Sequence, residues 1–121
     1  MKLSVVIVSH NMERELPRTI RSLSPAMQRG IATDDYEVIV VDNGSTTRFP
    51  EAECRRWIPD IRIVRIESPT VSPVAAVNRG LAMATGGLVG VMIDGARMAS
   101  PGLLAARATR PRATRGRSSA R

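Results

Sequence analysis

Tyr36-Glu37-Val38-Ile39-Val40-Val41-Asp42-Asn43-Gly44-Ser45 is a run of mostly β-branched aliphatic residues that stops on an acid, an amide, a glycine and a hydroxyl. Val38 to Val41 show no polar alternation, so the strand is expected to be covered on both faces, as in a parallel sheet flanked by helices. Asn43-Gly44 forces a turn, because these residues tolerate positive φ at little steric cost. Asp42 is therefore held at the carboxyl end of a rigid strand. In open α/β sheets that edge is where ligands bind.

The rest of the chain repeats the pattern. Residues 3–9 read as a first strand ended by His10-Asn11. Leu16, Ile20 and Leu23 stand at helical spacing, with Pro17 tolerable only in the first turn, and Ser24-Pro25 ends that helix. Glu51 to Trp57 makes a short helix closed by Pro59. Residues 61–66 form a third strand, whose Arg62 and Arg65 suit a place toward the sheet edge. Ser72-Pro73 is a helix start running through Val74, Val77, Leu81 and Ala84 to a stop at Gly86-Gly87. Leu88 to Ile93 is a fourth strand ending in Asp94-Gly95, and Ser100-Pro101 opens another helix with Leu103-Leu104 on its apolar face. Strands alternating with helices through short connections predict a parallel α/β sheet with right-handed crossovers.

The 121 residues suffice for one domain with a modest core. The net charge of +7 is unevenly placed. Residues 105–121 hold Arg107, Arg110, Arg112, Arg115, Arg117 and Arg121 and no acid, which leaves 12 basic against 11 acidic residues in 1–104. That tail uses only Ala, Arg, Thr, Pro, Gly and Ser, so it cannot bury enough apolar surface to offset its ordering entropy and is expected to be disordered. Its lack of lysines, aromatics and amphipathic spacing argues against a nucleic-acid or membrane-binding role. Tyr36, Phe49 and Trp57 are the only aromatics, too few for a stacking platform on single-stranded nucleic acid. Cys54 is alone, which excludes an intramolecular disulfide and suits a buried reduced thiol. The apolar run from Leu3 to Val8 is too short for a membrane span or signal core, so a cytoplasmic location is the default.

Three strand ends bring polar groups to one edge: Ser9-His10-Asn11, Asp42-Asn43 and Asp94-Gly95. If the first strand lies between the second and fourth, connection direction reverses there and opens a crevice. Two carboxylates across such a crevice suit a nucleotide, one accepting from a base or ribose and the other near a divalent cation and phosphates. Each Asp alone could instead close its own turn.

Ser4-Val5-Val6-Ile7-Val8-Ser9-His10-Asn11, Leu23, the Tyr36–Ser45 run, Asn78-Arg79-Gly80-Leu81-Ala82-Met83-Ala84-Thr85-Gly86 and the strand ending in Asp94 together resemble the opening of family 2 glycosyltransferases, in order, over roughly residues 3–104. The resemblance implies a Rossmann-like GT-A parallel sheet with flanking helices, here incomplete. It also implies a nucleotide-diphosphate sugar donor and usually a divalent metal, Mn or Mg. Residues 1–104 would be part of the donor-binding region, and 105–121 the basic tail. By resemblance, Ser9 and His10 line the base pocket and Asp42 contacts base or ribose. Asn78 and Gly80 lie on the helix facing the donor, and Asp94 matches the first acid of an Asp-x-Asp motif.

Three departures bear on activity. Val77 stands where the family commonly has arginine. Ala96 replaces the second acid of Asp-x-Asp, and a methyl group cannot ligate a hard cation, so a metal would rest on Asp94 alone. No Asp or Glu follows Asp94, so there is no candidate base to deprotonate an acceptor hydroxyl and no catalytic residue is assigned. The expectation is a glycosyltransferase-like chain that binds a nucleotide-diphosphate sugar for transfer to an unknown acceptor, with its activity lost or impaired in a truncated or frame-shifted product. The alternatives are a non-catalytic nucleotide-binding module and a basic-tail nucleic-acid-binding protein.

Overall fold

A computed structural model describes residues 2–66, 74–92 and 104 of the chain. Strands β1 (Leu3–Ser9), β2 (Tyr36–Asn43), β3 (Arg62–Ile66) and β4 (Leu88–Met92) form one parallel sheet in the order β3-β2-β1-β4. Helices α1 (Leu16–Leu23), α2 (Glu51–Trp57) and α3 (Val74–Met83) connect them, with a 3₁₀ turn over Thr33–Asp35 leading into β2. The expected parallel sheet with flanking helices is the observed one, and among the described residues β3 with its two arginines is an edge strand.

The unbroken apolar runs of β1 and β2 are explained by covering on both faces. Leu3, Val5, Ile7, Tyr36, Val38 and Val40 pack toward Leu16, Ile20 and Leu23 of α1 and Cys54 of α2. Their neighbours Val6, Val8, Ile39 and Val41 pack on the other face against Ala76 of α3. Cys54 is fully buried, and burial pushes its thiol up to about 12. The buried Tyr36 hydroxyl donates to the Leu23 carbonyl at 2.7 Å, which satisfies an orphan carbonyl at the end of α1.

Gly80 sets the height of α3 above the sheet. A Cβ there would collide with Val6 Cγ1 and lie 3.3 Å from Val41 Cγ2. The Gly86-Gly87 pair does not end the helix as the sequence suggests: α3 closes at Met83. Gly86 is instead required where the chain enters β4, because a Cβ would strike the Lys2 carbonyl oxygen and lie 2.8 Å from Ser4 Oγ. β4 begins at Leu88 beside Leu3 and, among the described residues, pairs with β1 alone. Val89 and Val91 on its α3-side face are each 42% exposed.

Leu104 is helical and buried with the α1 side of the core, its N–H donating to Gln28 Oε1 at 3.1 Å. The helix starts at Ser72-Pro73 and Ser100-Pro101, the Asp94-Gly95 strand end and the 105–121 tail lie outside the described residues. No helix among the described residues is long and apolar enough to cross a membrane.

Candidate functional site

The strand order places β1 between β2 and β4, so the chain's winding reverses beside β1. That is the switch point at which an α/β sheet opens a crevice at its carboxyl edge. Ser9 and Asp42 are register partners, so the ends of β1 and β2 are level there.

Two loops that leave these ends are tied together by side chains. Asn11 adopts φ 53°, the left-handed region that asparagine tolerates better than most residues. In that conformation its N–H donates to Ser45 Oγ at 2.8 Å. Its Oδ1 accepts from the Thr46 N–H at 2.8 Å and the Thr47 N–H at 3.3 Å. The Ser45 hydroxyl in turn donates to Asp42 Oδ1. His10 donates from Nδ1 to the Asn43 carbonyl at 2.7 Å, which leaves Nε2 as the acceptor facing Asn11 Nδ2 at 3.4 Å. Gly44, at φ 66°, supplies the sharp turn expected after the strand. The sequence singles out His10, Asn11, Asp42 and Gly44 as polar or turn residues at strand ends but does not show the clamp that Asn11 makes with the Ser45-Thr46-Thr47 loop.

Asp42 itself is 1% exposed. Its second oxygen, Oδ2, accepts from Arg65 Nε at 3.2 Å across the β2–β3 register. A buried carboxylate needs such partners, because an unpaired charge removed from water is strongly unfavourable. Arg65 is 52% exposed along its side chain, with its guanidinium 5.7 Å from the centroid of the Phe49 ring. The residue was read in the sequence only as a sign of an edge strand. Its pairing follows once β3 is known to neighbour β2, an order the sequence left open.

The structure thus gathers Ser9, His10 and Asp42 at one edge, with Ser9 buried and His10 exposed. Asn78 is on α3, exposed, and no hydrogen bond among the described residues joins it to that cluster. It lies two residues before Gly80, about 3 Å along the helix axis. Asp94, the remaining candidate and the only proposed metal ligand, lies outside the described residues, as does Ala96. Among the described residues no group of three or more His, Cys, Asp or Glu side chains converges to hold a metal.

A second polar cluster sits at the opposite, amino edge. Glu37 Oε2 accepts from Ser4 Oγ at 2.6 Å and from the Thr85 N–H and hydroxyl at 2.7 and 2.9 Å. Arg62 Nη1 lies 3.5 Å from Glu37 Oε1 and donates to the Met83 carbonyl at 2.6 Å. Burial pushes the Glu37 carboxyl up, but the hydrogen bonds from Ser4 and Thr85 and the charge of Lys2 outweigh it and hold it at about 2. These contacts latch the end of α3 to β1 and β2.

A parallel sheet with helices on both faces and polar loops at its switch edge defines an α/β protein whose ligand-binding edge is the carboxyl one. The model of Glycosyl transferase family 2 matches residues 4–94, and the chain belongs to that family. Among solved structures, S. aureus TarS 1–349 is similar at a TM-score of 0.75 and 26% identity, over 87% of this chain and 30% of that one. The same protein has been solved in complex with UDP and with UDP-GlcNAc. The mannosyltransferase PcManGT from Pyrobaculum calidifontis, in complex with GDP-Man and Mn2+, is similar at a TM-score of 0.63 and 26% identity, over 80% of this chain and 28% of that one. The chain therefore spans less than a third of each of these structures. No curated protein sequence matches it.

Proposed function

We propose that this chain binds a nucleoside-diphosphate sugar in the crevice at the carboxyl edge of β1 and β2, as the donor-binding part of a family 2 glycosyltransferase. The observation that carries the reading is the clamp of Asn11, Ser45 and Asp42, which fixes two strand-end loops at the switch point. A site held by hydrogen bonds before ligand arrives loses little entropy on binding. Its support from relatives is that TarS has been solved with UDP-GlcNAc and PcManGT with GDP-Man. Ser9 and His10 line the base pocket in this reading, Asp42 holds the base or ribose, Asn78 approaches the donor from α3, and Asp94 is a further donor contact.

Ala96 in place of a second acid favours a second reading, a nucleotide-binding module without transferase activity, over the same pocket. A metal could rest only on Asp94 and donor phosphates, because Ala96 offers no ligand. Calorimetric titration with UDP and GDP, with and without Mn2+, tests the shared claim. Saturable binding supports it, and no heat with either nucleotide refutes it. Release of sugar from UDP-GlcNAc or GDP-mannose then separates transferase from module.

A further inference from the structure

We infer that the outer face of α1 and α2 is a docking surface for an anionic lipid bilayer, with Arg14, Arg18, Arg21 and Arg56 meeting headgroup phosphates around Trp57. The surface lies on the flank of the sheet, so the inference is independent of the nucleotide-binding reading. Leu16, Ile20 and Leu23 turn one side of α1 into the core. The Leu16 N–H donates to the Met12 carbonyl at 2.8 Å, so the turn that carries Arg14 already has helical bonding. Arg18 and Arg21 follow at spacings of four and three, which sets the three cations along one side. All are exposed, as is Arg56 near the end of α2. Trp57 is half-buried, with the Arg21 guanidinium 5.1 Å and that of Arg56 5.9 Å from its ring centroid. The indole thus joins the cations of the two helices into one patch.

The charge of this face is not neutralised from within. Among the described residues Arg48 holds Glu13 and Glu53, Arg55 holds Glu51, Arg62 faces Glu37 and Arg65 holds Asp42. The four arginines around Trp57 have no carboxylate or hydrogen-bond partner among those residues. Arg48 and Arg55 meanwhile occupy the acids of α2. Glu15 stands about 100° round the helix from Arg14. Asp34 and Asp35 belong to the 3₁₀ turn before β2, and Asp60 to the loop after α2. A bilayer with anionic lipid complements such a face, each basic residue near it raising partitioning by about fivefold. Guanidinium groups bind phosphate through two parallel hydrogen bonds, and an indole has the apolar body and polar N–H that suit the headgroup level. A nucleic-acid strand would instead need free aromatic faces for stacking, and this indole is already engaged by two guanidinium groups.

Trp57 is the only tryptophan of the chain, so its fluorescence reports on this face and not on the arginines of residues 105–121. The test mixes the 121-residue chain with vesicles of phosphatidylcholine alone or of equimolar phosphatidylcholine and phosphatidylglycerol. Co-sedimentation reads binding, and quenching of Trp57 by brominated lipid reads its site. Both are expected with the anionic vesicles only. Both should fade as salt rises from about 0.1 M to about 1 M, where the screening length falls from about 10 Å to about 3 Å. Arg14→Gln, Arg18→Gln and Arg21→Gln together should lower partitioning by about tenfold or more. The charge-matched set Arg110→Gln, Arg112→Gln and Arg115→Gln should keep Trp57 quenched. Equal losses in the two triple variants, or vesicle binding without quenching of Trp57, would overturn the inference. So would a wild type that ignores anionic vesicles, or one whose Trp57 emission shifts with duplex DNA and not with vesicles. Should the first triple variant fail to fold, quenching in the wild type decides alone.

Discussion

Asn11 Oδ1 accepts the Thr46 N–H at 2.8 Å, joining two loops that lie 35 residues apart in sequence. The bond depends on the left-handed backbone of Asn11, which combines two roles, conformation and side-chain acceptor. Two substitutions separate them. Asn11→Gly keeps the backbone and loses the side-chain bonds, worth about 0.5–1.5 kcal/mol each. Asn11→Ala loses those bonds and adds about 1 kcal/mol of backbone strain. Urea denaturation should rank the proteins wild type, Asn11→Gly, Asn11→Ala in falling stability, and the reverse order of the two variants would refute the assignment.

Gly80 and Val6 are matched in size. Gly80→Ala gains up to about 1 kcal/mol of helix propensity but drives a methyl into Val6, and overpacking of this kind costs about 1–3 kcal/mol. The net expectation is a destabilised protein. Adding Val6→Ala removes the obstructing methyls, so the double variant should be more stable than the sum of the two single effects. A double-mutant cycle with no coupling would show that α3 simply moves away.

The amino-edge latch has a pH signature. The Glu37 carboxyl is held at about 2 against an ordinary value of 4.5. A depressed folded value means that its stabilisation is complete above the unfolded value and is lost as pH falls from about 4.5 toward 2. The full loss corresponds to about 3 kcal/mol. Glu37→Gln should flatten the fall of stability over that window in denaturation series at pH 2 to 6. An unchanged slope would place the acid sensitivity elsewhere.

Cys54 is fully buried on the inner face of α2 and its thiol is pushed up to about 12 by burial. A thiol in that state is a poor nucleophile. An aromatic disulfide reagent at pH 8 should therefore label the native chain no faster than it unfolds, and labelling should follow the urea transition. Rapid labelling of the native protein would contradict the packing of α2.

Much of the sheet was legible from local pattern. The β1 and α2 limits coincide with those read from the sequence, and β2 extends one residue further, to Asn43. These elements are governed by their own residues, continuous β-branched runs and a short amphipathic turn. What was not legible depended on neighbours in space. Gly86 looks like a helix stop in one dimension, yet its small size serves the Lys2 carbonyl, 84 positions earlier. Asp42 was recognisable as an acid on a sheet edge, but its burial and its partners Ser45 and Arg65 follow from strand order and loop geometry. Asn11 reads as a turn residue, and only the folded chain shows it bound to the opposite loop.

The central claim is that a nucleotide occupies the carboxyl edge of β1 and β2, and mapping the amide resonances of the labelled chain during titration with UDP or GDP tests it most directly. The account predicts saturable shifts at His10, Asn11, Gly44, Ser45 and Thr46 and at the Arg65 Nε–H, with Lys2, Thr85 and Gly86 at the amino edge unmoved. Shifts centred on the amino edge, or no shift with either nucleotide, would contradict it.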